Sequence, residues 1–182
     1  DTVSAFIKSM RGSDPDAALH YLARMLAAGE DVKFIARRIV ICASEDVGNA
    51  DPMALVVAMN AANAVQFIGL PEAQITLGQA VTYIASAPKS NAACEGIFAA
   101  LRDVKSRNCG AVPIHLRDAH YKGAAKLGHG VDYIYPHDYP GHFTRQQYLP
   151  KELSSAHYYV PSDNGAEKRL SEYLHQCWPE RF

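Results

Sequence analysis

The sequence predicts an all-α fold, in which an antiparallel helical bundle is followed by a less regular lobe rich in Tyr, Pro and Gly. Two observations predict the bundle. Prolines stand where helices should begin and glycines where they should end, at Pro15, Pro52, Pro71 and Pro88 and at Gly29, Gly48 and Gly69. Between them the apolar residues recur at helical spacing. A third observation predicts the lobe: residues 109–164 have no regular helical pattern and are rich in Pro, Gly and Tyr.

Six predicted helices follow one another with short connections. Asp14 is a suitable cap for the second helix, Pro15 suits its first turn, and Asp31 is a suitable cap for the third. The predicted ranges are 2–11, 15–28, 31–47, 52–68, 71–86 and 90–106. Because the loops between these helices are short, neighbouring helices should pack as antiparallel pairs.

The second part of the chain is predicted to be ordered but irregular. Seven of the ten tyrosines lie between residues 121 and 159, whereas disordered segments are poor in aromatic residues. We predict a helix over 117–127, an extended piece over 131–135 and a final helix over 166–177. The inward side of the final helix should carry Leu170, Tyr173 and Leu174.

The segment from Pro52 to Ala87 contains a single charged residue, Glu72. A helix this apolar is buried on most of its circumference. Three interpretations are open: a membrane span, a central pair of helices inside one domain, and a pair that faces another subunit. Polar amides interrupt the run, which falls short of the ~20 residues of a membrane span. With the third interpretation, residues 1–108 form a helical oligomerisation domain and residues 109–182 form a lobe packed on it.

Composition and cysteine spacing narrow the class of protein. The 182 residues carry a net charge of −1, so the chain as a whole does not attract nucleic acid. The four cysteines form no Cys-x-x-Cys pair, which is typical of free thiols in a reducing, cytoplasmic compartment. No signal peptide is recognisable. The chain does not begin with Met and its start already looks helical, so we expect a piece of a longer protein.

No motif for catalysis or cofactor binding is present. Neither Gly-x-Ser-x-Gly nor Gly-x-x-x-x-Gly-Lys-Ser/Thr occurs, so we expect no catalytic residue and no bound cofactor in this chain alone. Five histidines crowd one stretch, at His115, His120, His129, His137 and His142. Their spacing does not favour a metal site, and we predict hydrogen bonds to the loop backbone instead. A metal-dependent enzyme built on this stretch is retained as an alternative.

Three groups of charged residues are candidates for contacts. The first surrounds the turn at Gly12 and consists of Lys8, Arg11 and Asp14. The second should form structural ion pairs and consists of Arg37, Arg38, Glu45 and Asp46, with Arg38 two helical turns from Glu45. The third lies beside tyrosines, a combination that suits single-stranded nucleic acid, and consists of Arg102, Lys105, Arg107, Arg117, Lys122 and Lys126. A solvated helical face is the alternative for the third group.

Eight short segments occur in a fixed order along the chain. They read SMRGSDPDAALHYLARML, FIARR, ASEDVG, APKSN, VPIHLRDAHYK, LGHG, YPHD and QQYLP. Together they resemble the C-terminal region of the RarA/MgsA family of AAA+ ATPases, which includes the Werner-helicase-interacting proteins of eukaryotes. The resemblance runs from about Ser4 to Tyr159.

The resemblance implies a helical domain like the collar of clamp loaders. Such a domain would join the subunits of a replication- or recombination-linked ATPase, as a homotetramer, at stalled forks or DNA gaps. ATP and Mg would bind an upstream core. The turn at Gly12 would lie nearest the family's lid and would dock on the lid or on a neighbouring subunit, with a simple capping turn as the alternative. The implied partners are the chain itself, the upstream core and lid, DNA and a single-strand-binding protein, with no membrane.

The resemblance also implies a bacterial, cytoplasmic and nucleoid-associated protein. The alternative function is a free-standing helical adaptor that binds a partner protein or DNA. We expect a self-association domain, because the uncharged segment offers apolar area and no chemistry.

Overall fold

The computed structural model describes all residues, Asp1–Phe182, and contains seven α-helices and no strand. The helices are α1 (Thr2–Arg11), α2 (Pro15–Ala27), α3 (Val32–Cys42), α4 (Met53–Ile68), α5 (Ala73–Ser86), α6 (Ala92–Ser106) and α7 (Glu167–Cys177). The predicted all-α class is therefore confirmed.

Local chemistry explains where the first helices begin. The Asp14 carboxylate accepts a hydrogen bond of 2.9 Å from the Ala17 amide, with Pro15 in the first turn of α2. Asp31 does the same for α3, accepting from the Lys33 amide at 2.9 Å. The capping residues that the sequence displays therefore fix these helix starts.

The third helix ends differently from the prediction of one helix over 31–47. It stops at Cys42 and continues as a π-helical turn over Ala43–Val47 and a 3₁₀ turn over Gly48–Ala50. Gly48 has φ +51°, and a Cβ there would lie 2.8 Å from the carbonyl oxygen of Ser90. Only glycine fits this close approach in the left-handed region.

The chain divides into two compact units. Unit 1 consists of Asp1–Gly96 and Tyr159–Tyr173, and unit 2 consists of Ile97–Tyr158 and Leu174–Phe182. The division differs from the predicted domains 1–108 and 109–182, because residues 159–173 return to unit 1. Whether 1–108 and 109–182 act as separate domains stays a prediction.

The core of unit 1 is built from large side chains of α1, α3 and α5 and small ones of α4. The large, fully buried residues are Phe6, Met10, Ile35, Ile39, Leu77 and Ile84. From α4 the core receives Ala54, Ala58, Ala61 and Val65. Because three of these four are alanines, α4 adds little volume to the core and keeps its bulky residues elsewhere.

The C-terminal part of unit 1 is fastened by one carboxylate. Glu167 is fully buried and accepts hydrogen bonds from Ser90 Oγ at 2.5 Å, Tyr159 Oη at 2.7 Å, and Ser162 N and Oγ at 2.8 and 2.6 Å. Burial opposes ionisation, but the hydrogen bonds from Ser162, Ser90 and Tyr159 outweigh it and lower the pKa of Glu167. We call these four residues the Glu167 clasp.

Unit 2 is irregular, as predicted, but its details differ. The predicted helix over 117–127 is wrong: this region has only short 3₁₀ turns at Ile114–Leu116 and Ala125–Leu127. Gly123 lies between them at φ +91°, a conformation that interrupts a right-handed helix. Residues 131–135 form no strand, and Asp132 at φ +69° interrupts an extended course.

The final helix was placed correctly but turned wrongly. Leu170 and Tyr173, predicted to face inward, are 39% and 53% exposed, whereas Glu167 and Cys177 are buried. Leu174, the third residue predicted to face inward, is partly buried. The clasp on Glu167 sets the orientation of the first part of α7, so a carboxylate takes the place expected for the apolar stripe.

Candidate functional site

The exposed surface of α4 and α5 is uncharged and carries large apolar side chains among exposed amides such as Asn63, Gln66 and Gln74. Neither helix contains Asp, Glu, Lys or Arg, and the two helices pack against each other as a hairpin. Large apolar side chains that the core leaves exposed on this hairpin are Met53, Leu55, Val56, Met59, Phe67, Ile68, Leu70 and Ile75. We call these eight residues the α4–α5 face.

The size of this face sets it apart from ordinary surface. From their exposed fractions, its eight residues together expose on the order of 800 Å², on a surface that also carries the exposed Asn63, Gln66 and Glu72, whereas the largest apolar patch of a typical monomer is roughly 300–600 Å². A standard-size protein interface removes about 800 Å² from each partner. Of the three interpretations of this segment, a hairpin buried on all sides does not occur. No helix in the structure has the length and hydropathy that crossing a bilayer requires.

A groove of about 260 Å³ lies between the two helices on this surface. It is lined by Val56, Val57, Asn60, Ala61, Ala64, Thr76, Gln79 and Ala80. The Asn60 amide donates to the Val56 carbonyl of its own helix at 2.9 Å, so that polar group is already satisfied. The groove is therefore shaped by small side chains and offers no charge to a ligand.

The turn at Gly12 makes its contacts within unit 1. Asp14 caps α2, and Arg11 Nε lies 2.8 Å from Asp46 Oδ1, with Glu45 Oε1 at 3.7 Å from Arg11 Nη2. The hydrogen bond to Asp46 raises the pKa of Arg11. Lys8 is exposed. Contact of this turn with a lid or a second subunit stays a prediction.

The predicted ion-pair group is rearranged. Glu45 and Asp46 both pair with Arg11, and neither pairs with Arg38 or Arg37. Arg37 is exposed, and Arg38 Nε is buried with no hydrogen-bond partner. The π-helical turn after Cys42 explains the difference, because its larger number of residues per turn shifts the register that a continuous α-helix would keep.

Asp46 also receives a hydrogen bond from a buried thiol. Cys42 Sγ donates to Asp46 Oδ2 at 3.3 Å. Burial, reinforced by the neighbouring Asp46 carboxylate, raises the pKa of Cys42 to about 12. This thiol therefore stays protonated and acts as a packing group, not as a nucleophile.

The six basic candidates all lie in unit 2, although two are engaged in its own loops. Arg107 donates to the Glu152 carbonyl at 3.1 Å, and Arg117 donates to the Val112 carbonyl at 2.9 Å. Arg117 is partly buried, whereas the exposed members are Arg102, Lys105, Arg107, Lys122 and Lys126. Tyrosines of this unit with about half of their surface exposed are Tyr121, Tyr133, Tyr135, Tyr139 and Tyr148.

Three depressions of unit 2 adjoin one another. One, of about 380 Å³, includes Arg102, Arg107, Glu152 and His157. The next, of about 480 Å³, includes Glu152, Lys151 and Arg117, and the third, of about 370 Å³, includes Arg117, His115, His120, Tyr133 and Tyr148. Glu152 lines both the first and the second depression, and Arg117 lines both the second and the third. We call the three depressions together the unit 2 furrow.

The crowded histidines bond to one another and to nearby groups. His137 Nδ1 lies 2.7 Å from His142 Nδ1, His120 Nδ1 lies 2.8 Å from Asp118, and His129 is hydrogen-bonded to Tyr121. His115 Nε2 lies 2.8 Å from the Gln147 carbonyl. No group of three or more His, Cys, Asp or Glu side chains is arranged to hold a metal.

Sequence reasoning missed the Glu167 clasp and the exact extent of the α4–α5 face. Ser90 and Glu167 are 77 positions apart, and no local pattern links them. For the face, the absence of charge predicts a helix buried on most of its circumference, whereas the alanine periodicity at residues 54, 58 and 61 is the signal that α4 is buried only through its small side.

The fold defines the class of the protein, an all-α helical domain. The sequence model of the family described as "MgsA AAA+ ATPase C terminal" matches residues 12–178. The chain belongs to this family, which confirms the resemblance.

Named relatives agree. The chain is 57% identical over 174 residues to an uncharacterised AAA domain-containing protein of Mycobacterium tuberculosis, covering 96% of this chain and 38% of the relative. It is 50% identical over 165 residues to replication-associated recombination protein A of Bacillus subtilis, covering 91% and 39%. It is 39% identical over 161 residues to ATPase WRNIP1 of Dictyostelium discoideum, covering 87% and 18%. The chain thus spans about two fifths of the bacterial relatives' length.

Proposed function

We propose that this chain is the oligomerisation domain of a replication- and recombination-linked AAA+ ATPase and joins its subunits as a homotetramer. The observation that carries the proposal is the α4–α5 face, which is large, apolar and free of charge. ATP and Mg would bind a core elsewhere in the full-length protein, which would act at stalled forks or DNA gaps in the bacterial cytoplasm.

A second copy of the chain is the partner that fits this face. Like charges directly opposed across an interface cost several kcal/mol, and a surface without charge escapes that penalty when it meets itself. Obligate interfaces between copies resemble a domain core cut in half, and this face has such a composition. By holding several ATPase cores together, the domain would let ATP-driven motion in one subunit act on its neighbours.

The molar mass of the chain in solution tests the proposal. Light scattering and sedimentation over low to high micromolar concentrations should show a multiple of the 19.9 kDa chain, with four copies at the upper end. A particle of one chain at every concentration would overturn the proposal. That outcome would favour the alternative, a helical adaptor whose α4–α5 face receives a different protein.

A second function, contact with single-stranded nucleic acid, is favoured by unit 2. This unit carries nine Lys and Arg against six Asp and Glu, and seven of the eight histidines. Exposed tyrosines such as Tyr133 and Tyr148 line the furrow beside Arg117, and base stacking on aromatic rings combined with basic groups is how single strands are bound without sequence preference. We propose that the furrow takes a single strand.

Fluorescence anisotropy with a labelled oligothymidylate tests this second function. Binding should weaken as salt rises, because phosphate contacts release counterions. Tyr148→Ala should weaken binding by roughly 5-fold or more, since stacking of one base contributes about 1–3 kcal/mol. Tyr173→Ala, which removes a half-exposed ring of unit 1, is the matched control. Equal binding by both variants, or no dependence on salt, would remove this function.

A further inference from the structure

Phe67 is the most exposed large apolar residue of the chain. It lies in the last turn of α4, and 92% of its surface is open to water. A phenylalanine buries roughly 150–250 Å² when it is packed, so leaving this ring in water forgoes a large hydrophobic gain. A single exposed apolar residue needs no explanation, but this one stands beside a groove that matches it.

The groove and Phe67 lie on the same side of α4. Residues Val56, Asn60 and Ala64 line the groove at intervals of four, and Phe67 follows three positions later. Residues three and four apart are neighbours on one helix face, so the ring projects from the stripe that forms one wall of the groove. Each chain therefore carries the exposed Phe67 ring next to the groove between α4 and α5.

The dimensions of the two features agree. The groove has a volume of about 260 Å³ and is walled by Ala61, Ala64, Thr76 and Ala80, which leave space between the helices. An engineered apolar cavity of about 150 Å³ already binds benzene. The groove is thus wide enough for an aromatic ring, and it contains no charged residue that would select a polar or charged ligand.

We propose that Phe67 is the anchor of self-association and that it inserts into the groove between α4 and α5 of a second copy, whose own Phe67 occupies the groove of the first. The inference rests on the proposed function and names the residue and the pocket through which it works. Anchors of this kind, an aromatic side chain seated in a desolvated pocket, dominate the energy of many interfaces.

A two-fold arrangement satisfies both contacts together. Phe67 and Asn60 are seven residues apart, which is about 10 Å along a helix. If two α4 helices cross in opposite directions near Ala64, the Phe67 of each copy reaches the level of Asn60 in the other. The small side chain of Ala64 at the crossing lets the two backbones approach closely. Such a contact is isologous, the commonest kind between identical subunits.

The first experiment removes the ring or fills the groove. Because Phe67 is almost fully exposed in one chain, Phe67→Ala should leave the thermal unfolding of a single chain unchanged while weakening association by roughly 30-fold, as expected for an anchor residue. Ala64→Trp, which fills the groove and leaves Phe67 in place, should weaken association similarly. Phe98→Ala, which removes another half-exposed ring on α6, is the matched control and should change nothing.

The second experiment reports the contact directly. In a background with Cys94→Ser and Cys109→Ser, a mixture of chains carrying Phe67→Cys and chains carrying Asn60→Cys should form a disulfide between copies on mild oxidation. Chains carrying Phe98→Cys mixed with the Asn60→Cys chains should not. The cross-link does not depend on the loss of affinity, so it stays informative if Ala64→Trp misfolds.

The outcomes separate this inference from the function on which it rests. If the unaltered chain is monomeric, the oligomerisation function itself fails. If it associates but Phe67→Ala associates equally well and the mixed cross-link does not form, the function stands and the assignment of Phe67 is overturned. A cross-link between two Phe67→Cys chains instead would show that the helices meet in a different register and would equally reject the proposed seating.

Discussion

Units 1 and 2 present opposite kinds of surface. Unit 1 carries nine basic and thirteen acidic residues, yet none of these charges lies on α4 or α5. Unit 2 carries nine basic and six acidic residues, most of the histidines and a row of half-exposed tyrosines. The difference shows how one chain can hold two modes of recognition, one through apolar shape and one through charge and stacking.

The two units also differ in how they are built. Unit 1 has long helices around a core of Phe6, Ile35 and Leu77, and its irregular return segment is fastened by the Glu167 clasp. Unit 2 relies on short turns and on side chain to backbone contacts such as Arg107 to Glu152. A charge introduced on the uncharged α4–α5 face of unit 1 should therefore affect self-association more than a charge introduced on unit 2, whose surface already carries charges of both signs.

The largest expected effect is the loss of stability when the Glu167 clasp is removed from unit 1. Glu167→Ala leaves Ser90, Tyr159 and Ser162 without their buried acceptor, and we expect the free energy of unfolding to fall by about 3 kcal/mol or more. Urea unfolding followed by circular dichroism measures it. Glu172→Ala, an exposed glutamate of the same helix, should stay within ~0.5 kcal/mol of the unaltered chain. Similar losses in both variants would show that the clasp does not matter.

The same carboxylate predicts a dependence on pH. The folded pKa of Glu167 is lowered from its ordinary value of 4.5, so its contribution to stability is complete above that value. It is lost as the pH falls through the folded pKa. Glu167→Gln removes this titration, and the unfolding free energy of the variant should converge with that of the unaltered chain in acid. A constant difference from pH 7 to the acid limit would contradict the assignment.

A charge introduced on the α4–α5 face should weaken self-association, because the lack of charge is what distinguishes this face from the surface of unit 2. Ile75 is 76% exposed in one chain, so Ile75→Asp should leave the fold intact and weaken association by roughly 30-fold or more, because the carboxylate would be desolvated between copies. Val131→Asp, on a half-exposed residue of unit 2, is the control. Sedimentation measures the association of both variants. If Ile75→Asp associates as strongly as the unaltered chain, the interface lies elsewhere.

A smaller effect is expected at the rearranged ion pairs. Arg11→Ala removes the partner of the nearly buried Asp46 and should lower the free energy of unfolding by about 1 kcal/mol, since the arginine itself is half exposed. Arg37→Ala should be neutral, because Arg37 has no carboxylate within reach. Thermal unfolding of both variants, compared at one salt concentration, would reject the pairing if Arg37→Ala proved the more harmful.

The smallest effect concerns the unit 2 furrow. Lys151→Ala should weaken binding of an oligothymidylate a few-fold and reduce the slope of log affinity against log salt by about 1, as expected for the loss of one phosphate contact. Lys168→Ala, in unit 1, serves as the control. If the two variants share one slope, then Lys151 does not touch the strand.

What the sequence predicted depended on the range of the interactions involved. Asp14, Asp31 and Gly69 act on adjacent residues, so the helix boundaries in unit 1 agree closely with the prediction, except at the end of α3. The uncharged hairpin was visible because the absence of Asp, Glu, Lys and Arg can be read residue by residue. The family was identified from the order of short segments and is confirmed by the match over residues 12–178.

The errors arose where distant residues set the conformation. The Arg38–Glu45 pairing failed because a π-helical turn shifts the register, and that turn is tied by the Ser90 amide to the Asp46 carbonyl at 2.8 Å. The predicted helix over 117–127 is wrong because Gly123, at φ +91°, interrupts the right-handed helix that the surrounding residues favour. Which of the uncharged residues would remain exposed depended on the packing of four helices and could not be deduced from α4 alone.

The alanine-rich inner side of α4 has a consequence for how such a protein changes over time. The residues that hold α4 in place and the residues that would touch a neighbour are different sets, with methyl groups inside and bulky side chains outside. Substitutions at Phe67, which is 92% exposed, should therefore have little effect on folding. Subunit number and partner choice could drift among descendants while the scaffold itself stays the same.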